Sequence, residues 1–132
     1  MKLVFLSRTD SGRSQIAHAF AHREAIKRRM TDLKLVTGGT DPDSQLQQPV
    51  IEALQETDID LMGRRPRKIQ QDDLDNADYV IGVGYTVEHV DSDAETRSWD
   101  IPSTKEKSVD TVQRISEQIE DRVVAFFDEI ED

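Results

Sequence analysis

Eight consecutive residues carry most of the chemistry this chain can offer: Ser7-Arg8-Thr9-Asp10-Ser11-Gly12-Arg13-Ser14. They follow an apolar run, Lys2–Leu6, and precede a stretch with apolar Ile16, Ala17, Phe20 and Ala21 at helical spacing. A polar loop that opens a helix at the end of a buried strand is a place for an anion. Its backbone N–H groups and the helix N-terminus together form a partly positive cradle. Gly12 allows a tight turn and Arg13 can clamp two oxygens side by side. Ser14 can cap the helix or hydrogen-bond Ser7 across the loop. A polar turn with nothing bound is the alternative, because the loop lacks the lysine of a nucleotide-binding loop and has one glycine.

Ser7 stands where a nucleophile would stand, yet a serine hydroxyl is far less acidic than a thiol and needs a neighbouring base. His18 and His22 lie one and two turns into the helix, His89 is remote, and none forms a recognisable Ser/His arrangement. The chain has no cysteine, which removes disulfides, thiolate metal sites and thiol redox chemistry. No metal and no cofactor is expected. His89 lies among Glu88, Asp91 and Asp93, but with no second histidine at ligand spacing it reads as part of a charged loop.

A second cluster, Arg64, Arg65, Arg67 and Lys68, sits in a proline-containing loop and can steer a phosphorylated partner or simply be solvated. Tyr85 is a candidate for the mouth of the pocket, and Trp99 for the core. The charge as a whole is −10, with 27 acidic against 17 basic residues and 11 Arg against 6 Lys. That balance argues against nucleic-acid and acidic-membrane partners, and it suits either an ordinary acidic surface or a high-salt milieu. No apolar run approaches the roughly 20 residues of a membrane span, so a cytoplasmic protein is expected.

The elements that position these residues follow from periodicity. Lys2–Leu6, Leu33–Thr37 and Ala77–Val83 read as buried strands, with a fourth near Thr96–Trp99. Gly38-Gly39 ends the second. Helices are expected from Ser14, continuing into an exposed basic stretch Lys27–Arg29, then around Val50–Leu54 and as one turn at Asp72–Asn76. The last runs over Val109–Ile130, where apolar residues step by three or four and Ser108 is a plausible N-cap. Alternation of strand and helix predicts one doubly wound α/β domain over residues 1–132, with helices on both faces of a parallel sheet. Its four strands are expected in the order 2-1-3-4.

The loop resembles the signature of the low-molecular-weight protein tyrosine phosphatases and the thioredoxin-coupled arsenate reductases of the same fold: Cys, five residues, Arg, then Ser or Thr. Similarity continues through "RSQIAHAFA", "VTGGTDP", "DLMGRRPRKI", "ADYVIGVG" and "RSWDIPSTKEKSVDTVQRISEQIEDRV". The resemblance implies a loop at residues 7–14 that binds phosphate, arsenate or sulfate, free or on a phosphorylated protein or small molecule. It implies a nucleophile position at Ser7 and a substrate rim that includes Arg64, Arg65 and Tyr85.

Three departures from that pattern bear on activity. Ser7 replaces the nucleophilic cysteine. Asp10 stands where the family places Asn; beside a bound phosphate its charge would repel by several kcal/mol unless protonated or turned outward. It can pair with Arg8 or Arg13, or face solvent. Ser103 stands where the family has the Asp that protonates the leaving oxygen, and Asp100, three residues earlier, is a candidate substitute or else a surface carboxylate. Thiol-dependent arsenate reduction is excluded without cysteine. A catalytically impaired, oxyanion-binding phosphatase relative is the leading expectation. A phosphatase with an engineered serine, and a scaffold without anion binding, are the alternatives.

Overall fold

The computed structural model of the chain describes residues 1–87 and 92–131. Along it run β1 (Lys2–Ser7), α1 (Arg13–Lys27), β2 (Lys34–Gly39), α2 (Gln48–Gln55) and α3 (Gln71–Leu74). These are followed by β3 (Tyr79–Val83), β4 (Glu95–Trp99) and α4 (Val109–Glu131). The four strands form one parallel sheet in the order β2-β1-β3-β4. From β1 the chain crosses through α1 to β2, then returns past β1 to β3. Progress along the sheet reverses beside β1, so the carboxyl end of β1 is the topological switch point where α/β sheets bind ligands.

The apolar run in β1 is continuous because both faces of the strand are covered. Leu3 and Phe5 enter one core with α1, α2 and α4, while Val4 and Leu6 enter a smaller one with Val80, Ile69 and Leu74. Helices therefore lie on both faces, but unequally: among the described residues the second face has only the single turn of α3, supplemented by loops. Alternation carries across the sheet through the registers Leu3 to Leu35, Leu3 to Tyr79 and Val83 to Trp99.

α4 buries the stripe Val112, Ile115, Ile119, Val123, Phe126 and Phe127. Ser108 caps it, its Oγ accepting the Thr111 N–H at 3.2 Å. Trp99 is buried, 6.3 Å from the Phe5 ring and 6.4 Å from Phe126. Arg28 corrects the expectation of an exposed basic stretch. It leaves the end of α1 to bond Glu24 at 2.9 Å, Asp128 at 2.8 Å and Glu131 at 2.9 Å, tying α1 to α4.

β2 does not stop at Gly38-Gly39 but includes both glycines. The loop at 64–69 docks alongside: Gly39 N–H bonds the Arg67 carbonyl at 2.9 Å, and Ile69 N–H bonds the Gly39 carbonyl at 2.9 Å. A side chain at Gly39 would press on the Arg8 carbonyl at 2.7 Å and Asp10 N at 3.0 Å. The bare backbone there lets the loop after β1 pack against the end of β2.

Candidate functional site: the loop between β1 and α1

The carbonyls of this loop are turned outward and tied down. Those of Ser7, Arg8, Thr9 and Ser11 accept from the N–H groups of Thr40 (3.3 Å), Asp41 (2.7 Å), Asp43 (3.0 Å) and Gln47 (3.0 Å). In a trans peptide the next N–H points opposite to the carbonyl. The N–H groups of Arg8, Thr9 and Gly12 therefore face away from the 40–47 segment. Gly12 is the N-cap residue of α1 and offers no side chain to the first turn.

A polar pocket of about 180 Å³ opens there, with Ser7, Arg8, Thr9, Gly12 and Arg13 on one side. Gln47, Ser103, Thr104 and Lys105 close the other side. Arg13 reaches across beneath Gly84 and donates from Nη1 to the Ile101 carbonyl at 2.7 Å. Burial pulls its pKa down. Thr104 bonds Gln47 Oε1 at 2.8 Å, and Gln47 Nε2 bonds Ser11 Oγ at 3.1 Å. Gln47 and Lys105 are pocket residues that sequence reasoning missed; neither belongs to a local pattern, since only the packing of three loops brings them in.

Asp10 overturns both expectations for it. It pairs with neither Arg8 nor Arg13 and does not face solvent; it is fully buried behind the loop, in the left-handed backbone region at φ 51. Its Oδ1 accepts from Thr37 Oγ1 at 2.6 Å and Ser14 Oγ at 2.7 Å. Its Oδ2 accepts from Gln15 Nε2 at 3.1 Å and the Arg67 backbone N–H at 3.0 Å. Burial raises its pKa and outweighs these four donors, each of which pulls it down. Thr37, Gln15 and the Arg67 main chain are the partners sequence reasoning did not foresee. Ser14 takes the second of its two expected roles, lying 2.7 Å from Ser7 Oγ rather than capping α1. Ser11 is also a brace, donating to Asp43 Oδ2 at 2.6 Å. The side chains of Asp10, Ser11 and Ser14 thus support the loop and do not line the pocket. Arg8 reaches outward, its side chain 73% exposed and 3.6 Å from Asp41.

Several remote candidates fall elsewhere. Asp100 is exposed and off the pocket, because its neighbours Trp99 and Ile101 turn into the core and leave it facing outward. Ser103 does line the pocket, with Lys105 N–H bonded to its Oγ at 3.2 Å. Tyr85 packs half-buried against the smaller core. Arg64 and Arg65 line a separate depression of about 380 Å³ with Gln15, His18 and Thr37, so neither forms a rim to the Ser7 pocket. Arg64 Nη1 lies 2.8 Å from His18 Nδ1. Burial and this cation hold the His18 imidazole down at a pKa of about 4, hence neutral. Arg67 is held by both Asp73 oxygens at 3.0 Å. Among the described residues no cluster suited to a metal occurs and no helix is long and apolar enough to cross a membrane. His89, with Glu88 and Asp91, lies outside the described residues.

An open parallel sheet with a polar pocket at its switch point, walled by the first strand-loop-helix unit, defines the class: a doubly wound α/β protein. Residues 2–132 match the low-molecular-weight phosphotyrosine protein phosphatase family, and the chain belongs to that family. A "Putative arsenate reductase" of Halobacterium salinarum is 34% identical over 130 residues, covering 97% of this chain and 92% of that protein. Among solved structures, an arsenate reductase in a phosphate-binding state superposes with a TM-score of 0.79 at 21% identity, covering 98% of each chain. A cysteine-to-serine mutant of the YwlE arginine phosphatase, with a phosphorylated active-site serine, superposes at 0.80 and 16% identity. That alignment covers 99% of this chain and 96% of the other.

Proposed function

We propose that this chain is an oxyanion-binding member of its family, whose loop Ser7–Ser14 holds phosphate, arsenate or sulfate, free or carried on a phosphorylated protein or small molecule. The carrying observation is the outward anchoring of four loop carbonyls, which aims amides and Arg13 at one polar pocket. The solved arsenate reductase in its phosphate-binding state supports the ligand class. Multiple turnover is slow: Ser7 replaces a thiolate, and among the described residues Ser103 and Lys105 line the pocket but no carboxylate does. Arsenate reduction through thiols is outside its reach, since the chain has none. Its acidic surface suits a cytoplasm rich in salt.

The test is a thermal titration with phosphate at constant ionic strength, with chloride as control because screening alone imitates an anion effect. The melting temperature of the parent chain rises with phosphate, as linkage requires, and Arg13→Ala removes most of the gain. Ser7→Cys gains hydrolysis of an aryl phosphate above the parent rate. A folded parent chain that does not respond to phosphate refutes the reading.

A further inference from the structure

The hydrogen-bond polarity at Ser7 has a direction. Asp10 accepts on both oxygens from two donors each, the pattern of an ionised carboxylate, which has no proton to give. Ser14 therefore spends its one hydroxyl proton on Asp10 Oδ1, at 2.7 Å. The 2.7 Å contact between Ser14 Oγ and Ser7 Oγ must then be donated by Ser7. Ser7 Oγ in turn accepts the Asp10 backbone N–H at 3.1 Å. The result is a directed chain, Ser7 O–H to Ser14 O–H to the Asp10 carboxylate, leading away from the pocket that Ser7 lines. It leaves one lone pair of Ser7 Oγ uncommitted.

We infer that Asp10, acting through Ser14, is the proton acceptor that makes Ser7 a phosphoryl-accepting nucleophile, so that the chain takes a phosphoryl group from phosphate monoesters with good leaving groups. The inference rests on the reading of the loop as an oxyanion cradle. In the step, the lone pair of Ser7 Oγ forms a bond to phosphorus while the bond from phosphorus to the aryl oxygen breaks. The electron pair departs with that oxygen as a phenolate, which needs no proton from the protein. The Ser7 proton passes to Ser14 Oγ as Ser14 passes its own to Asp10 Oδ1. The Asp10 N–H, already on Ser7 Oγ, steadies the negative charge that develops there. Phosphoryl transfer ends at the ester, because among the described residues no carboxylate lines the pocket to activate water.

The polarity depends on the carboxylate. An asparagine at position 10 would turn its oxygen to the Arg67 N–H, which cannot reverse, and present its NH₂ to Ser14 and Thr37. Ser14 would then accept from residue 10 and donate to Ser7, and the relay would run toward Ser7. That direction suits a thiolate; the one present suits a hydroxyl.

The elements around Asp10 bring few other charges. α1 contributes Arg13 and His18, the 64–69 loop contributes Arg67, committed to Asp73, the 40–47 segment contributes Asp43, bonded to Ser11 and paired with Lys105, and the adjacent end of β2, Thr37–Gly39, contributes none. His18 gains its charge in the same acid range, so loss of the relay at acid pH is assigned to Asp10 by its absence in Asp10→Asn.

The experiment incubates the intact chain with 4-nitrophenyl phosphate and follows nitrophenolate release and intact mass. The parent chain releases one nitrophenolate per chain in a burst and gains one phosphoryl group, located on Ser7 by peptide mapping. The burst rate falls as acidification protonates Asp10. Asp10→Asn slows the burst about a hundredfold and loses the acidic limb. Ser14→Ala loses the burst and Ser14→Thr, which restores a hydroxyl, recovers it; this pair decides the matter if Asp10→Asn does not fold. A parent chain that gains stability from phosphate yet takes up no phosphoryl group overturns the relay while sparing the cradle. A burst unchanged in Asp10→Asn or Ser14→Ala also overturns it, and absence of any phosphate response removes both readings.

Discussion

Gly84→Ala tests the anion clamp from outside the loop. Gly84 follows β3 with φ +68, and a Cβ there would fall inside contact distance of Arg13 Nη1 and Cζ and 2.8 Å from Nε. The obstacle is the far end of a flexible side chain, so Arg13 moves aside, abandoning its bond to the Ile101 carbonyl. The left-handed backbone costs an alanine about 1–2 kcal/mol. A domain of this size melts about 4 °C lower per kcal/mol lost, so the ligand-free variant melts about 4–8 °C below the parent.

Displacing the guanidinium from a bound phosphate weakens charge-assisted hydrogen bonds by about 2 kcal/mol in all, roughly thirtyfold in Kd. With phosphate at about 100 times the parent Kd, the parent gains about 2.7 kcal/mol, whereas the variant, at about 3 times its own Kd, gains about 0.8 kcal/mol. Calorimetry should show a phosphate-induced rise of about 10 °C in the parent reduced to about 3 °C. Gly63→Ala is the matched control. It also has a positive φ, +88, but nothing lies within 4 Å of its Cβ, so it should lose stability and keep the whole phosphate gain. An undiminished gain in Gly84→Ala would refute the placement of Arg13 as the clamp.

His18 gives the fold a pH dependence. Its pKa falls from 6.5 unfolded to about 4 folded, so its contribution is complete above about pH 6.5 and is lost as pH falls toward 4, by roughly 3 kcal/mol. Urea unfolding across that range should show the slope, and His18→Gln should flatten it. Asp10 works in the opposite sense: its raised pKa removes stability as pH climbs through it. Arg28→Ala breaks the tie between α1 and α4 and leaves the buried Glu24 with Lys27, 3.9 Å away, as its remaining cation. We expect a loss of about 2 kcal/mol, measured by denaturant titration, with little effect on phosphate binding; an equal loss of binding would contradict the separation of this staple from the pocket.

Local pattern made much of this protein legible. The uninterrupted apolar Leu3–Leu6 required a strand covered on both faces, and the three- and four-residue steps from Val109 required the long helix that Ser108 caps. The polar run from Ser7 to Ser14 between strand and helix marked the pocket, and the absence of cysteine bounded its chemistry. These are properties of neighbours in sequence, governed by periodicities that a few residues suffice to express. Residues separated by long stretches were decided only by packing. Asp10 could be read as a surface acid because its partners Thr37 and Arg67 lie 27 and 57 residues away, and nothing near position 10 announces them. Arg64 and Arg65 carry the charge expected of a rim, yet the docking of the 64–69 loop on β2 places them along a separate depression. The direction in which the Ser7 proton points is likewise no property of Ser7. It is set by a buried carboxylate saturated with donors from three segments, which the fold alone brings together.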